Sequence, residues 1–218
     1  MLVACWSVKG GSGTTVVATA LALLLARAAP SGVLLVDLGG DVPAALGVPD
    51  PETPGVADWI EAVGDADALG RLAVDVGESV HVLPRGTRSS ALATFGAPEG
   101  ERLAAALHEH PQPVVVDCGP PATGVGTAVA GSAPVSLLVL RPCFLALRRA
   151  VDAPMRPSSV VLVEEPGHLL RPRDVSAVLG VPVGARIPWD PAVARGVDGG
   201  LLPRGLPRAL ERALREAA

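Results

Sequence analysis

A chain of 218 residues with 49% hydrophobic content is long enough to bury one sizeable core, and that content excludes long disorder. Aromatic residues make up 2% and tyrosine is absent, so the core must be Val, Leu and Ala, and a stacked-base nucleic-acid platform is excluded. The net charge of −4 hides an asymmetry: residues 1–140 carry 6 basic and 14 acidic side chains, residues 141–218 carry 12 and 8. That basic C-terminal part reads either as the ordinary surface charge of helices or as a face for DNA, acidic lipid or an acidic partner.

The predicted elements run as follows. A strand over Leu2–Val8 leads into "SVKGGSGTT", Ser7 to Thr15, which opens a predicted helix over Thr14–Ala29. A strand over Val33–Asp37 ends in "VDLGGD"; the Pro- and Gly-rich segment 39–55 is expected as a loop at the sheet edge, followed by a helix over Val56–Val63. A strand over Val80–Pro84, a second loop segment at 84–98 and a helix over Glu99–Glu109 precede a strand over Pro113–Cys118, which ends in "VDCGPP". The remainder alternates: strand Val135–Arg141, helix Leu145–Asp152, strand Ser158–Glu164, helix Pro172–Leu179, strand Val183–Pro188 and helix Pro207–Ala217. The strands are Val- and Leu-rich without polar alternation, as strands buried on both faces are. The expectation is an α/β fold: one three-layer domain spanning 1–218, with a mostly parallel central sheet and helices on both faces.

Cys5, Cys118 and Cys143 lie far apart, fit no metal spacing and read as buried free thiols. His81, His108, His110 and His168 suggest no ligand cluster, and His108 and His110 read as a solvated helix end. Asp58 and Glu61 read as a solvated helix face, and Trp6 and Trp59 as packing residues. The chain opens on a strand-like run rather than a signal peptide, and "VVATALALLLA" is too short to span a bilayer, so a reduced cytoplasm is the expected location.

In a sheet of this kind ligands bind beyond the carboxyl ends of the strands, and three of those ends carry the chain's oddest polar residues. Gly10, Gly11 and Gly13, with Ser12 between, permit a tight turn whose amides and following helix N-terminus attract an anion. A P-loop reads G-x-x-x-x-G-K-[ST]. Here Thr14 stands where the lysine belongs and Thr15 where the Mg²⁺-binding hydroxyl belongs. Asp117 is placed as a carboxylate that holds Mg²⁺ through water, and Asp37 points toward the same place. Of 18 basic residues, one is lysine, and it is Lys9, inside the glycine loop. A compact ammonium is what a phosphate-binding loop wants.

These residues resemble the MinD/ParA group of P-loop proteins, whose deviant Walker A motif reads K-G-G-x-G-K-[ST]-[ST]; here it is "KGGSGTTV". The resemblance covers nearly the whole chain. "VLLVDLGGDVPAALGV" resembles the switch I region, "PVVVDCGPP" the Walker B and switch II region, and "GVPVGARIPWDPAVARGVDGG" the late strand and adenine-side loop. The resemblance implies ATP and Mg²⁺ as ligands, with Lys9, Gly10, Gly11, Ser12, Gly13, Thr14, Thr15, Pro188 and Trp189 at the nucleotide and Thr15, Asp37 and Asp117 at the metal. Lys9 would be the signature lysine that reaches the partner subunit's phosphates in a nucleotide-sandwiched homodimer.

Three departures bear on activity. Thr14 lacks the loop ammonium. Gly39 stands where the family carries a second Asp linked to the attacking water, leaving Asp41, two residues on, as the substitute only in a rearranged loop. Glu164 and Glu165 stand where relatives place an adenine-reading Asn, and two carboxylates there are expected to repel phosphate. A kept signature lysine with a lost loop lysine resembles the CpaE/TadZ-like branch, here in a short form without a receiver domain, whose members place pilus or secretion machinery at cell poles. The expected function is nucleotide-dependent localisation or scaffolding with weak or absent ATPase. The alternatives are a pseudo-ATPase interaction module that binds no nucleotide, and an active partition ATPase that binds DNA through Arg148, Arg149, Arg171, Arg173, Arg204, Arg208, Arg212 and Arg215. "LPRALERALREAA" puts Leu206, Leu210 and Leu214 on one helical face; with no aromatic residue it is expected to pack on the sheet rather than enter a membrane.

Overall fold

A computed structural model describes residues 1–121, 124–167 and 169–215. His168 and the last residues of the predicted C-terminal helix lie outside the described residues. The β-branched and leucine runs form strands: β1 (Leu2–Trp6), β2 (Val33–Asp37), β3 (Val74–Asp75), β4 (Val80–Leu83), β5 (Val114–Asp117), β6 (Val135–Leu140), β7 (Ser159–Val163) and β8 (Val183–Ile187). They make one sheet in the order β3-β4-β2-β5-β1-β6-β7-β8. Every pairing is parallel except β3 with β4 at the edge. The expected α/β fold with a mostly parallel sheet is what forms.

Alternate residues of each strand feed two cores, one on each face. Val3, Cys5, Leu35, Val115, Val139 and Val161 face α1 (Thr14–Ala26), α2 (Val42–Leu46) and α10 (Arg208–Arg215). Ala4, Trp6, Val36, Val116, Leu138 and Leu162 face α3 (Val56–Glu61), α4 (Ala66–Leu72), α5 (Ala97–Glu109), α6 (Gly124–Ser132), α7 (Phe144–Val151) and α8 (Pro172–Leu179). Helix α9 (Pro191–Asp198) is pinned at its start by Asp190, whose Oδ1 accepts from Ala192 N at 2.8 Å. Trp6 and Trp59 are buried, and their indole N–H groups donate to Ser136 Oγ and Asp65 O. Leu206, Leu210 and Leu214 are buried against α1 and β8, so the apolar face of the C-terminal helix is used inside the fold. Among the described residues no helix is long and apolar enough to cross a membrane.

The structure departs from the predicted elements in identifiable places. Segment 39–55 is not an edge loop: β2 lies inside the sheet, and the segment folds into α2 at the carboxyl end of that strand. Segment 84–98 contains a 3-10 turn over Ser89–Ala93 and the start of α5. Asp58 is more than a solvated residue. Its carboxylate accepts from Gly55 N, Thr87 N and Thr87 Oγ1, tying α3 to the loop after β4. Glu61 pairs with Arg88 at 2.8 Å.

Candidate functional site

Strand β1 sits between β5 and β6, so its carboxyl end opens where connections depart to opposite sides, the place where parallel sheets leave a crevice. The chain leaves β1 at Ser7, whose N–H donates to Gly119 O at 2.9 Å and so ties the loop to the end of β5. The Ser7 and Ser12 hydroxyls both donate to Lys9 O at 3.0 Å, drawing the loop closed around that carbonyl. Gly11 and Gly13 hold φ of 72° and 92°, left-handed values that suit glycine. Gly13 caps α1 without a side-chain bond, and the first turn carries no acidic residue. The amides of that turn and the positive end of the helix therefore face outward uncompensated. A Cβ built on Gly10 or Gly11 would touch nothing within 4 Å. We expect Gly11→Ala to cost about 1 kcal/mol in denaturant unfolding, from its backbone conformation alone.

In front of the loop lies a cavity of about 660 Å³, within the range of small-molecule sites. Gly10, Gly11, Ser12, Gly13, Thr14 and Thr15 line one side; Gly39, Asp41, Ala44, Ala45, Gly119 and Pro120 line another. Thr15 Oγ1 donates to Asp117 Oδ2 at 2.6 Å, and Asp117 Oδ1 accepts from Gly119 N at 3.0 Å. Asp37 stands in register with Asp117 on the neighbouring strand, and its Oδ1 accepts from Gly40 N at 2.5 Å. Burial pushes the Asp37 carboxyl up to about 7; the nearby Asp117 adds to this, while the Gly40 and Val42 amides and the Arg85 guanidinium oppose it. Burial likewise raises Asp117, against its bonds from Thr15 and Gly119, and Asp41 pushes the same way. A hydroxyl and two adjacent carboxylates are the hard oxygen donors that Mg²⁺ takes, so the residues fit that ion.

The other expected site residues fall elsewhere. Lys9 does not line the cavity; its Nζ lies 3.6 Å from Cys143 Sγ. Cys143 is therefore not the buried thiol expected, whereas Cys5 and Cys118 are buried and burial raises both thiols. Pro188 and Trp189 line a separate cleft of about 380 Å³ with Glu164, Glu165, Arg171 and Arg186. The reason is topological: β8 is the outer strand, separated from β1 by β6 and β7. Glu164 pairs with Arg186 at 2.7 Å and Glu165 with Arg141 at 2.5 Å, so the expected carboxylate repulsion is offset by two guanidiniums. Gly39 does leave its position bare: a Cβ there would stand 2.9 Å from Asp117 Oδ2. Val197 and Asp198, at the end of α9, reach the cavity; they lie in the stretch read as the adenine-side loop but were not named as site residues from sequence. The Asp190-Pro191 pair, an N-cap followed by proline, was the available signal for that helix.

No family model matches the chain, and no curated protein matches it. Solved structures do. A ParA family ATPase from Chlorobium tepidum superposes with a TM-score of 0.80 at 21% identity, over 98% of this chain and 95% of that one. The septum site-determining protein MinD from Pyrococcus horikoshii, in complex with Mg-ADP, gives 0.78 at 20% identity, over 99% and 94%. A Cyanothece McdA variant in complex with ATP gives 0.73 at 18% identity, over 99% and 95%. At these identities the likeness is one of fold, and the chain has the fold of the MinD and ParA family ATPases.

Proposed function

We propose that this chain is a MinD/ParA-like, nucleotide-dependent localisation or scaffold protein: one P-loop domain over 1–218 with a degenerate Walker A loop and weak or absent ATPase. The observation that carries the reading is the glycine loop, which with the start of α1 lines a cavity walled on another side by the segments that follow β2 and β5. The similar MinD and McdA structures hold Mg-ADP and ATP, the same ligand class. In this reading the loop amides hold the phosphates. Thr15 and Asp117 hold Mg²⁺ with Asp37 behind them, and the ion when bound neutralises phosphate charge. Asp41, at the cavity wall, orients water only weakly, since Gly39 contributes no carboxylate. Lys9 bridges to a partner subunit in a homodimer formed around ATP; beside it Phe144 is 78% exposed and Leu145 49% exposed, an apolar pair suited to a partner surface. The kept Lys9 with a threonine at position 14 favours the CpaE/TadZ-like branch, and with it a protein partner from a pilus, secretion or cell-pole system. We place the protein in the cytoplasm, where its free cysteines persist.

A second reading, the pseudo-ATPase interaction module, draws support from the acidic cavity lining: Asp41 and Asp198 face it and no basic residue does, among the described residues. The DNA-binding reading is the weaker, because its arginines divide between α7 and α8 on one face of the sheet and α10 on the other. Titration with a fluorescent ATP analogue and Mg²⁺, with mass-based sizing, separates these. We expect the wild type to bind and to shift toward a dimer. Lys9→Ala is expected to bind nucleotide but remain monomeric. An absence of binding by the wild type at millimolar ligand would transfer the case to the pseudo-ATPase.

A further inference from the structure

We propose that Arg85 supplies, from within the same subunit, the phosphate-directed positive charge that Thr14 leaves out, and so makes the site favour a nucleoside triphosphate over a diphosphate. The inference rests on the nucleotide reading above. A polyphosphate entering the main cavity meets Asp41 and Asp198 on the lining, and no basic side chain lines that cavity among the described residues. Backbone amides alone oppose these two carboxylates, so a nearby cation has an electrostatic reason to be recruited.

Arg85 is placed to be that cation. It follows β4, the strand next to β2, and its guanidinium acts on Asp37. It lines a cleft of about 180 Å³ that also holds Asp37, Gly40 and Ser89. The main cavity and this cleft meet at consecutive residues: Gly39 lines the first and Gly40 the second. Neither residue adds a side chain between them. Gly40 has φ of 102°, and a Cβ there would stand 2.9 Å from Arg85 Nη1 and 3.3 Å from its Cδ. The glycine thus makes room for the guanidinium at the boundary.

The guanidinium is also lightly held. Arg27, Arg88, Arg141 and Arg186 each lie within 3.0 Å of a carboxylate oxygen. Arg85 forms no ion pair among the described residues; its Nη2 donates to Ser89 O at 3.3 Å, and its buried Nε has no hydrogen-bond partner. Buried guanidinium donors left unmatched are donors a phosphate can satisfy. Arg85 comes from the loop after β4, on the β2 side of the main cavity and away from the glycine loop at the start of α1, so in this proposal its flexible stem, lying over Gly40, would reach the outer phosphate rather than those held by the loop amides.

The test is competition. A fluorescent ATP analogue bound with Mg²⁺ is displaced by unlabelled ATP or ADP in the wild type, Arg85→Gln and Arg85→Lys, with thermal melting of each to confirm the fold. We expect Arg85→Gln to weaken ATP about ten-fold while ADP is unchanged, and Arg85→Lys to recover part of the difference. Equal weakening of ATP and ADP, or no change in either, overturns the inference while leaving the nucleotide reading standing. A wild type that displaces with neither nucleotide overturns that reading and this inference together.

Discussion

Thr14→Lys is expected to tighten Mg-ATP binding by about ten- to a hundred-fold, as one or two charge-assisted hydrogen bonds do. Thr14 is the first residue of α1, 6% exposed, and lines the cavity beside Gly13. A lysine there has cavity space ahead of it rather than packed core. Its ammonium would lie along the phosphates, as the loop lysine of an ordinary P-loop does. The substitution adds positive charge at a helix N-terminus, so the ligand-free variant is expected to lose about 0.3–1 kcal/mol of stability. Tighter binding with a slightly lower melting temperature is the signature of a restored binding charge. ADP should gain as well, since a lysine at this position reaches the β- as well as the γ-phosphate, whereas the proposed action of Arg85 is on the γ-phosphate alone. Isothermal titration of both nucleotides reads the difference. A variant that folds yet binds no better than wild type means the loop is not a phosphate cradle short of one charge.

Much of the fold was legible because the strands bury both faces and so write themselves as unbroken Val and Leu runs, as in Val33–Asp37 and Val114–Asp117. The juxtaposition of Thr15, Asp37 and Asp117 was legible for a related reason: each ends or follows a parallel strand, and parallel strands bring their carboxyl ends together. What escaped depended on partners distant in sequence. Helix α6 reads "GVGTAVAGS", a poor helix former that is held by close packing on α5, where a Cβ on Gly100 would lie 2.7 Å from Ala128 Cβ. Helix α2 is five residues, too short for a period to appear. Glu164 and Glu165 read as a repelling pair because their arginines come from the ends of β6 and β8. Lys9 Nζ lies against Cys143, 134 residues away, a contact that no local pattern encodes.

Asp37→Asn is expected to stabilise the ligand-free protein at neutral pH by roughly 2–4 kcal/mol, and the gain is expected to vanish toward acid. The sign follows from the raised carboxyl, about 7 in the fold against an ordinary 3.8. Below about pH 4 both the folded and unfolded chains hold the proton, and Asp37 contributes nothing. Between about pH 4 and 7 the unfolded chain releases it while the folded chain keeps it, so wild-type stability falls as pH rises. Above about pH 7 both are ionised and the full penalty remains. An asparagine keeps an oxygen for the Gly40 amide, which is 2.5 Å from the carboxylate, and removes the buried charge beside Asp117. Asp117, also raised, changes stability in the same direction, whereas His110, lowered by burial, works oppositely. Subtracting wild-type from variant stability removes most of both contributions and isolates Asp37. Denaturant unfolding at a series of pH values should show that difference rising from about pH 4 and levelling off above about pH 7. A difference that stays flat would mean that Asp37 is already ionised without ligand. Added Mg²⁺ with nucleotide should stabilise the wild type more than the variant at neutral pH, because only a carboxylate rewards a cation. The unfavourable charge at Asp37 is then a cost that the fold carries for the ligand-bound state.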